Sequence, residues 1–208
     1  MTELAWHFVG ADRRLRDGSP LVVGEWLEYS GPLVLCQSGL HASTRAIDAL
    51  QYAHGPIACL VEVGGTIVRG TDKLVCSRRR PLWAIDATHA LRLFARQCAL
   101  DVAHLWDMPP VVRGYLETGD ESKMDAARDA ARSAAGAAAW AAAHVAARAA
   151  ASGTAWAAAW YAAMGTAWSA AWYAARTAAW GRQNADLEPL LIAEAMDLGE
   201  EMPDEDID

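Results

Sequence analysis

The spacing of apolar side chains changes character near residue 81. Before that point they come in short runs separated by Gly, Pro, Asp and Ser, the pattern of strands and turns. Residues 4–9 predict a first strand, and Asp17-Gly18-Ser19-Pro20 a turn. Short apolar runs follow at 21–23 and 33–36. Ser43 is placed to cap a helix over 44–53, which His54-Gly55-Pro56 ends. Residues 57–63 give the clearest strand, followed by Gly64-Gly65 and by strands over 66–68 and 73–77. Strands that succeed one another across Gly-rich turns predict antiparallel pairing.

Beyond Arg78-Arg79-Arg80-Pro81, read as a solvated hinge or a dock for an acidic segment, the period becomes helical. Ala87, Ala90, Leu91, Phe94, Ala95, Cys98, Val102 and Leu105 line one face of a predicted helix over 86–107. Pro109-Pro110 ends it, and Pro110 opens a helix over 110–118 carrying Val111, Val112, Tyr115 and Leu116. Gly119 supplies the stop and Asp120 the next cap.

Residues 121–182 contain a twelve-residue unit: AAAWAAAHVAAR at 137–148, GTAWAAAWYAAM at 153–164 and GTAWSAAWYAAR at 165–176. Alanine loses no side-chain entropy in a helix, so helix propensity is very high. Within each of the last two units the tryptophans sit four apart and share a face. A twelve-residue step nevertheless advances about 120° beyond three full turns. The tryptophan pairs therefore wind around the helix, which must be buried on several sides or break at Gly153. The expectation is two helices, 121–150 and 154–181, folded as an antiparallel hairpin. A last helix is predicted at 186–198, with Asp186 as cap, Pro189 in the first turn, and Leu190, Leu191 and Met196 packing back.

Charge sharpens the ends of this picture. The formal net charge is −8, yet residues 183–208 hold ten acidic side chains and no Lys or Arg. The other 182 residues carry 18 basic and 16 acidic groups. The acidity belongs to a tail from residue 200, expected to be solvated. Binding nucleic acid through a general electrostatic field is not expected. Cys36, Cys59, Cys76 and Cys98 lack metal-site or redox spacing, and no signal peptide is read at the start, so a reducing cytoplasm with free thiols is expected. The 27 uncharged residues between Arg148 and Arg176 are long enough to cross a bilayer but lack Leu, Ile, Val and Phe, so no membrane span is expected.

Chemistry-bearing residues concentrate in the first part. Gly39-Leu40-His41-Ala42-Ser43 precedes a helix carrying Tyr52, and Glu62 lies on an otherwise apolar strand. A carboxylate there is at an open edge or paired. No phosphate loop, serine-nucleophile motif or zinc spacing is present, and no metal or cofactor is expected.

The Gly-Leu-His-Ala block, the short helix and the following Val61-Glu62-Val63-Gly64 strand make residues 1–80 resemble an uncharacterised domain of phage and bacterial proteins. Residues 86–182, with a leading helix and Ala/Trp/Arg repeats, resemble alanine-rich helical proteins described as immunity proteins. A more distant similarity, carried by Trp6-His7-Phe8-Val9-Gly10 and the Gly39–Ser43 block, is to ADP-ribosyltransferase-like folds. His41 stands where that pattern has tyrosine, and Glu62 precedes the expected place of its last acid. This similarity implies an NAD site built from His7, His41, Tyr52 and Glu62.

The sequence therefore predicts an α+β chain. Residues 1–82 form a small, mostly antiparallel β domain with one short helix. Residues 83–199 form a helical domain with a long Ala/Trp-rich hairpin, and 200–208 a disordered tail. The leading expectation is a phage-associated, non-enzymatic interaction module of the host cytoplasm. Its contact surface is Trp156, Trp160, Trp168, Trp172 and Trp180, which bind a protein partner or a second copy of the chain. The alternative is a diverged NAD-using transferase in residues 1–80.

Overall fold

The computed structural model describes residues 2–101, 103–105, 107–134 and 170–203. They are of α+β class, an antiparallel sheet with several helices. The chain divides into two compact units, Met1–Thr88 with Asn184–Asp208, and His89–Gln183.

In the first unit, β1 (Glu3–Val9) pairs with β4 (Ile57–Arg69), β4 with β5 (Leu74–Asp86), and β5 with both β2 (Leu27–Glu28) and β3 (Leu40–Ala42). All these pairings are antiparallel, as expected. Two backbone hydrogen bonds between Trp6 and Ser43 tie the end of β3 back to β1, so the path β1-β4-β5-β3 returns to its start.

Registered residues share a face of the sheet. One face carries the rows Trp6–Leu60–Trp83 and Phe8–Ala58–Ile85, and the Trp6 and Trp83 rings meet edge to face at 5.7 Å. The other, inward face carries Ala5, Val9, Ile57, Cys59, Val61, Val63, Leu74, Cys76 and Ala84, with Leu15, Leu21, Leu40 and Ile67 packed against them.

Several expectations change here. Gly64-Gly65 is a bulge inside β4 and not a turn: Gly65 has φ 72°, and the register shifts between Gly64 and Ile67. The two glycines signal a bend, and only pairing decides whether the chain reverses there. It reverses at 70–73 instead, between the 13-residue strands β4 and β5. The three arginines lie within β5 and form no hinge. Runs 21–23 and 33–36 are not strands, and Val22 and Val23 are exposed. The helix predicted over 44–53 shrinks to α1 (Ala46–Leu50), which lies against β1. Its N-cap is Arg45, without a side-chain cap, because Ser43 is held by its backbone in the bridge to Trp6.

What α1 lacks locally comes from the far end of the chain. Glu188 Oε1 accepts the Ala46 N–H at 3.1 Å, and Asn184 Oδ1 accepts that of Ile47 at 3.0 Å. Orphan N–H groups at a helix start need such acceptors. Leu187, Leu191 and Ala195 recur every four residues on the same helix and are buried. Leu191 packs as anticipated, whereas Met196 is 61% exposed. The helix does not begin at Asp186; a single helix spans Ala170–Asp197 with Pro189 inside it. Proline at 189 removes a bond to the carbonyl of Ala185, but both residues are exposed, so water can serve that carbonyl.

In the second unit, α2 (Thr88–Asp101) buries Ala90, Leu91, Phe94, Ala95, Cys98 and Ala99. It is shorter than the 86–107 expected and is followed by a tight turn of helix, Ala103–Leu105. Asp86 caps α2 rather than belonging to it, accepting from the Thr88 N–H and hydroxyl. α3 (Pro110–Thr118) starts and stops on the signals read from the sequence, with Gly119 left-handed at φ 69°. Asp120 then caps the turn Glu121–Lys123 that leads into α4 (Met124–Ala134). We label the helix Ala170–Asp197 α5. The predicted break near Ser152-Gly153, and Trp156, Trp160 and Trp168, lie outside the described residues, as do the side chains of Trp172 and Trp180 and residues 204–208.

Candidate functional site

The four residues singled out for chemistry lie on four different elements or loops of the first unit. His7 sits mid-strand on β1, registered with Cys59, on the inward face between Ala5 and Val9. Burial pushes its pKa well below the ordinary 6.5, and the nearby Arg79, His41 and His54 push it further the same way. It is a neutral imidazole at pH 7.

His41 lies in β3, directly after the turn that Gly39 makes possible. Gly39 has φ 106°, and a Cβ there would collide with Val75 and Leu33, so only glycine fits. Nε2 of His41 accepts the Cys36 N–H at 3.0 Å, so the ring proton is on Nδ1, which donates to the Gly39 carbonyl at 3.1 Å. Both ring nitrogens thus hold backbone, and Cys36 is fixed at φ 65°. Desolvation lowers the His41 pKa; the Gly39 bond opposes it, and Lys73, Arg79 and Arg16 add to the lowering.

Tyr52 and Glu62 point elsewhere. Tyr52 is 42% exposed, donates to Asp72 Oδ2 at 2.6 Å, and has the Lys73 ammonium 4.0 Å above its ring. Glu62 is registered with Leu4 and Arg80, on the face opposite His7. Arg80 Nε donates to its Oε2 at 2.9 Å, with a second bond from Nη2. Trp26 stacks against that pair, its ring 5.0 Å from Arg80 and 4.5 Å from Arg78. Arg78 also meets Glu28 at 3.2 Å. So the structure brings His7 and His41 within electrostatic reach of each other and sets Tyr52 and Glu62 apart from them.

The residue that sequence reasoning missed is Arg79. Its neighbours Arg78 and Arg80 face outward, and strand alternation turns Arg79 inward, where it is 4% exposed. Its Nη1 donates to the His41 carbonyl, and its buried Nε has no partner among the described residues. Beside it, burial pushes the Cys59 thiol up to about 12, so this cysteine is no nucleophile at neutral pH. The signal was available in the period of two, once residues 74–86 are read as one strand. Among the described residues no cluster of His, Cys, Asp or Glu could hold a metal, and no helix is long and apolar enough to cross a membrane.

His7 sets a pH dependence with a definite sign. Its folded pKa lies below that of the unfolded chain, so acidification from about pH 6.5 loads protons onto the unfolded state first. Stability should fall as pH drops from 6.5 toward the folded pKa, and His41 acts in the same direction. Thermal unfolding midpoints measured from pH 7.5 to 5 should decline, and the decline should be shallower in His7→Gln. Parallel curves for the two proteins would show that His7 contributes nothing to it.

The first unit is thus an antiparallel α+β domain whose inward face is an apolar core with Arg79 buried in it. Residues 4–93 match the family model described as a domain of unknown function, DUF7666. No curated protein and no solved structure matches the chain. The coarse expectation of an uncharacterised domain in the first part agrees with that match, which extends past residue 82 into α2.

Proposed function

We propose that the chain is a non-enzymatic protein-interaction module, phage-associated and cytoplasmic. In this reading the α+β unit is a scaffold and the alanine- and tryptophan-rich segment is the contact surface. The separation of Tyr52 and Glu62 from the two histidines carries the reading. Tyr52 is bonded to Asp72, Glu62 to Arg80, and both nitrogens of His41 to backbone. An NAD-using transferase would need an acid beside the histidines, and among the described residues every charged side chain acting on His7 or His41 is basic. Two sequence features support the interaction side. Tryptophan is enriched where binding energy concentrates, and five tryptophans recur between 156 and 180. The resemblance of residues 86–182 to immunity proteins points the same way.

The partner in this proposal is a second copy of the chain, since pairs that wind around a helix cannot all be covered within one hairpin. Substituting both Trp168 and Trp172 by alanine should lower the solution mass from dimer toward monomer and leave the far-ultraviolet signature of the sheet intact. A variant with unchanged mass would place the contact elsewhere. NAD consumption by the unsubstituted chain that His7→Ala abolishes would replace this reading with the transferase.

A further inference from the structure

Ser43, Asp48, Glu62 and Arg79 are the buried polar side chains among the described residues. Asp48 faces Arg45 and Glu62 faces Arg80, while Ser43 carries no charge. Arg79 differs from the two carboxylates: no acid pairs with it among the described residues, and its bond goes to a neutral carbonyl. A guanidinium keeps its proton even when buried. The thiols beside it, Cys59 and Cys76, have their pKa values raised by burial and stay neutral, so they do not balance its charge.

We propose that Arg79 and His7 form an oxyanion-binding site on the inward face of the sheet, taking the phosphate or carboxylate head group of a small ligand. The Nε–H of Arg79 is buried and has no partner among the described residues, and one edge of a guanidinium matches two oxygens of such a group. His7 lies two register rows along the same face and makes no hydrogen bond to a described residue, although it remains partly accessible. Its neutral ring offers one further N–H donor.

Among the described residues, arginines on the segment after β1 add positive charge near the site, whereas Glu3, in the same register row as Arg79, is an acid already paired with Arg69. Arg13 and Arg16, on the segment that follows β1, act electrostatically on Cys59 and His41. Arg13 donates to the Ala84 carbonyl and also feels Asp86, whereas Arg16 has no ion pair among the described residues. Ala5 and Val61 line the row between His7 and Arg79, Val63 lies beside Arg79, and these apolar walls strengthen any charge-assisted bond formed there. The proposal does not depend on the proposed self-association.

Titration of the full chain with inorganic phosphate and with sodium acetate tests this, at constant ionic strength and with chloride as the control. The Arg79 Nε–H and His7 ring resonances should shift saturably with at least one of the two anions. The thermal midpoint should rise by about 5 °C or more at a hundredfold excess over the dissociation constant. A response to phosphate alone identifies a phosphate ester, and to acetate alone a carboxylate. Arg79→Met should fold without the anion and lose the response. If that variant fails to fold, the wild-type resonances decide. Resonances unmoved by either anion, or a response that survives in Arg79→Met, would overturn the proposal.

Discussion

A chain ending at residue 183 should lose the cooperative unfolding transition of the first unit, even though it keeps every strand. Residues 184–203 bury Leu187 and Leu191 completely and Ala195 nearly so. Burying a leucine is worth about 1.5–3 kcal/mol. The hydrogen bonds from Ala46 and Ile47 to Glu188 and Asn184 add about 1 kcal/mol each. Together these approach the roughly 5–15 kcal/mol by which a whole domain is stable. The milder variant Leu191→Ala should cost about 2–5 kcal/mol in denaturant titration. A truncated chain whose midpoint lies within a few degrees of the full chain would show that α5 is an accessory to the sheet.

Trp83→Ala should be the most damaging single substitution in the sheet, at about 3–5 kcal/mol. Trp83 is 1% exposed, lies in the row with Trp6 and Leu60, and meets the Trp6 ring edge to face. Removing it leaves a cavity that β-strand backbone cannot close. Its indole N–H is buried with no partner among the described residues, so Trp83→Phe removes an unsatisfied donor along with some contact area. That variant should therefore lose less than about 1.5 kcal/mol. Equal losses for Ala and Phe would mean that the indole nitrogen has a partner after all.

These two effects also mark where the sequence was informative. Signals that act within one turn or one strand were legible. The strand at β1, the apolar face of α2, Pro110 at the start of α3, Gly119 at its end and the Asp120 cap all follow from neighbours in the chain. What depends on pairing was not. Gly64-Gly65 reads the same as a turn or a bulge until β5 is laid beside β4. The acceptors for α1 come from residues about 140 positions away, so its start could not be placed by looking for a local cap.

The candidate site divides in the same way. His7 and His41 were found because strand and turn motifs are local, and they do share an electrostatic neighbourhood. Glu62 was read as lying at an open edge or paired; it is paired, and its partner, Arg80, required the β4–β5 register. Arg79 was hidden inside a run of three arginines that looks like surface. Only alternation along a continuous β5 separates the inward arginine from its two outward neighbours.

The proposed function rests most heavily on the tryptophan segment, and the mass of the unsubstituted chain in solution tests it most directly. Sedimentation equilibrium over a wide concentration range, read beside indole quenching by acrylamide, is the measurement. The account predicts a dimer at high concentration that dissociates on dilution, with indoles becoming more accessible to quencher as it does. A monomer at every concentration, with all its indoles already shielded, would contradict the account and leave the repeat as an intramolecular core.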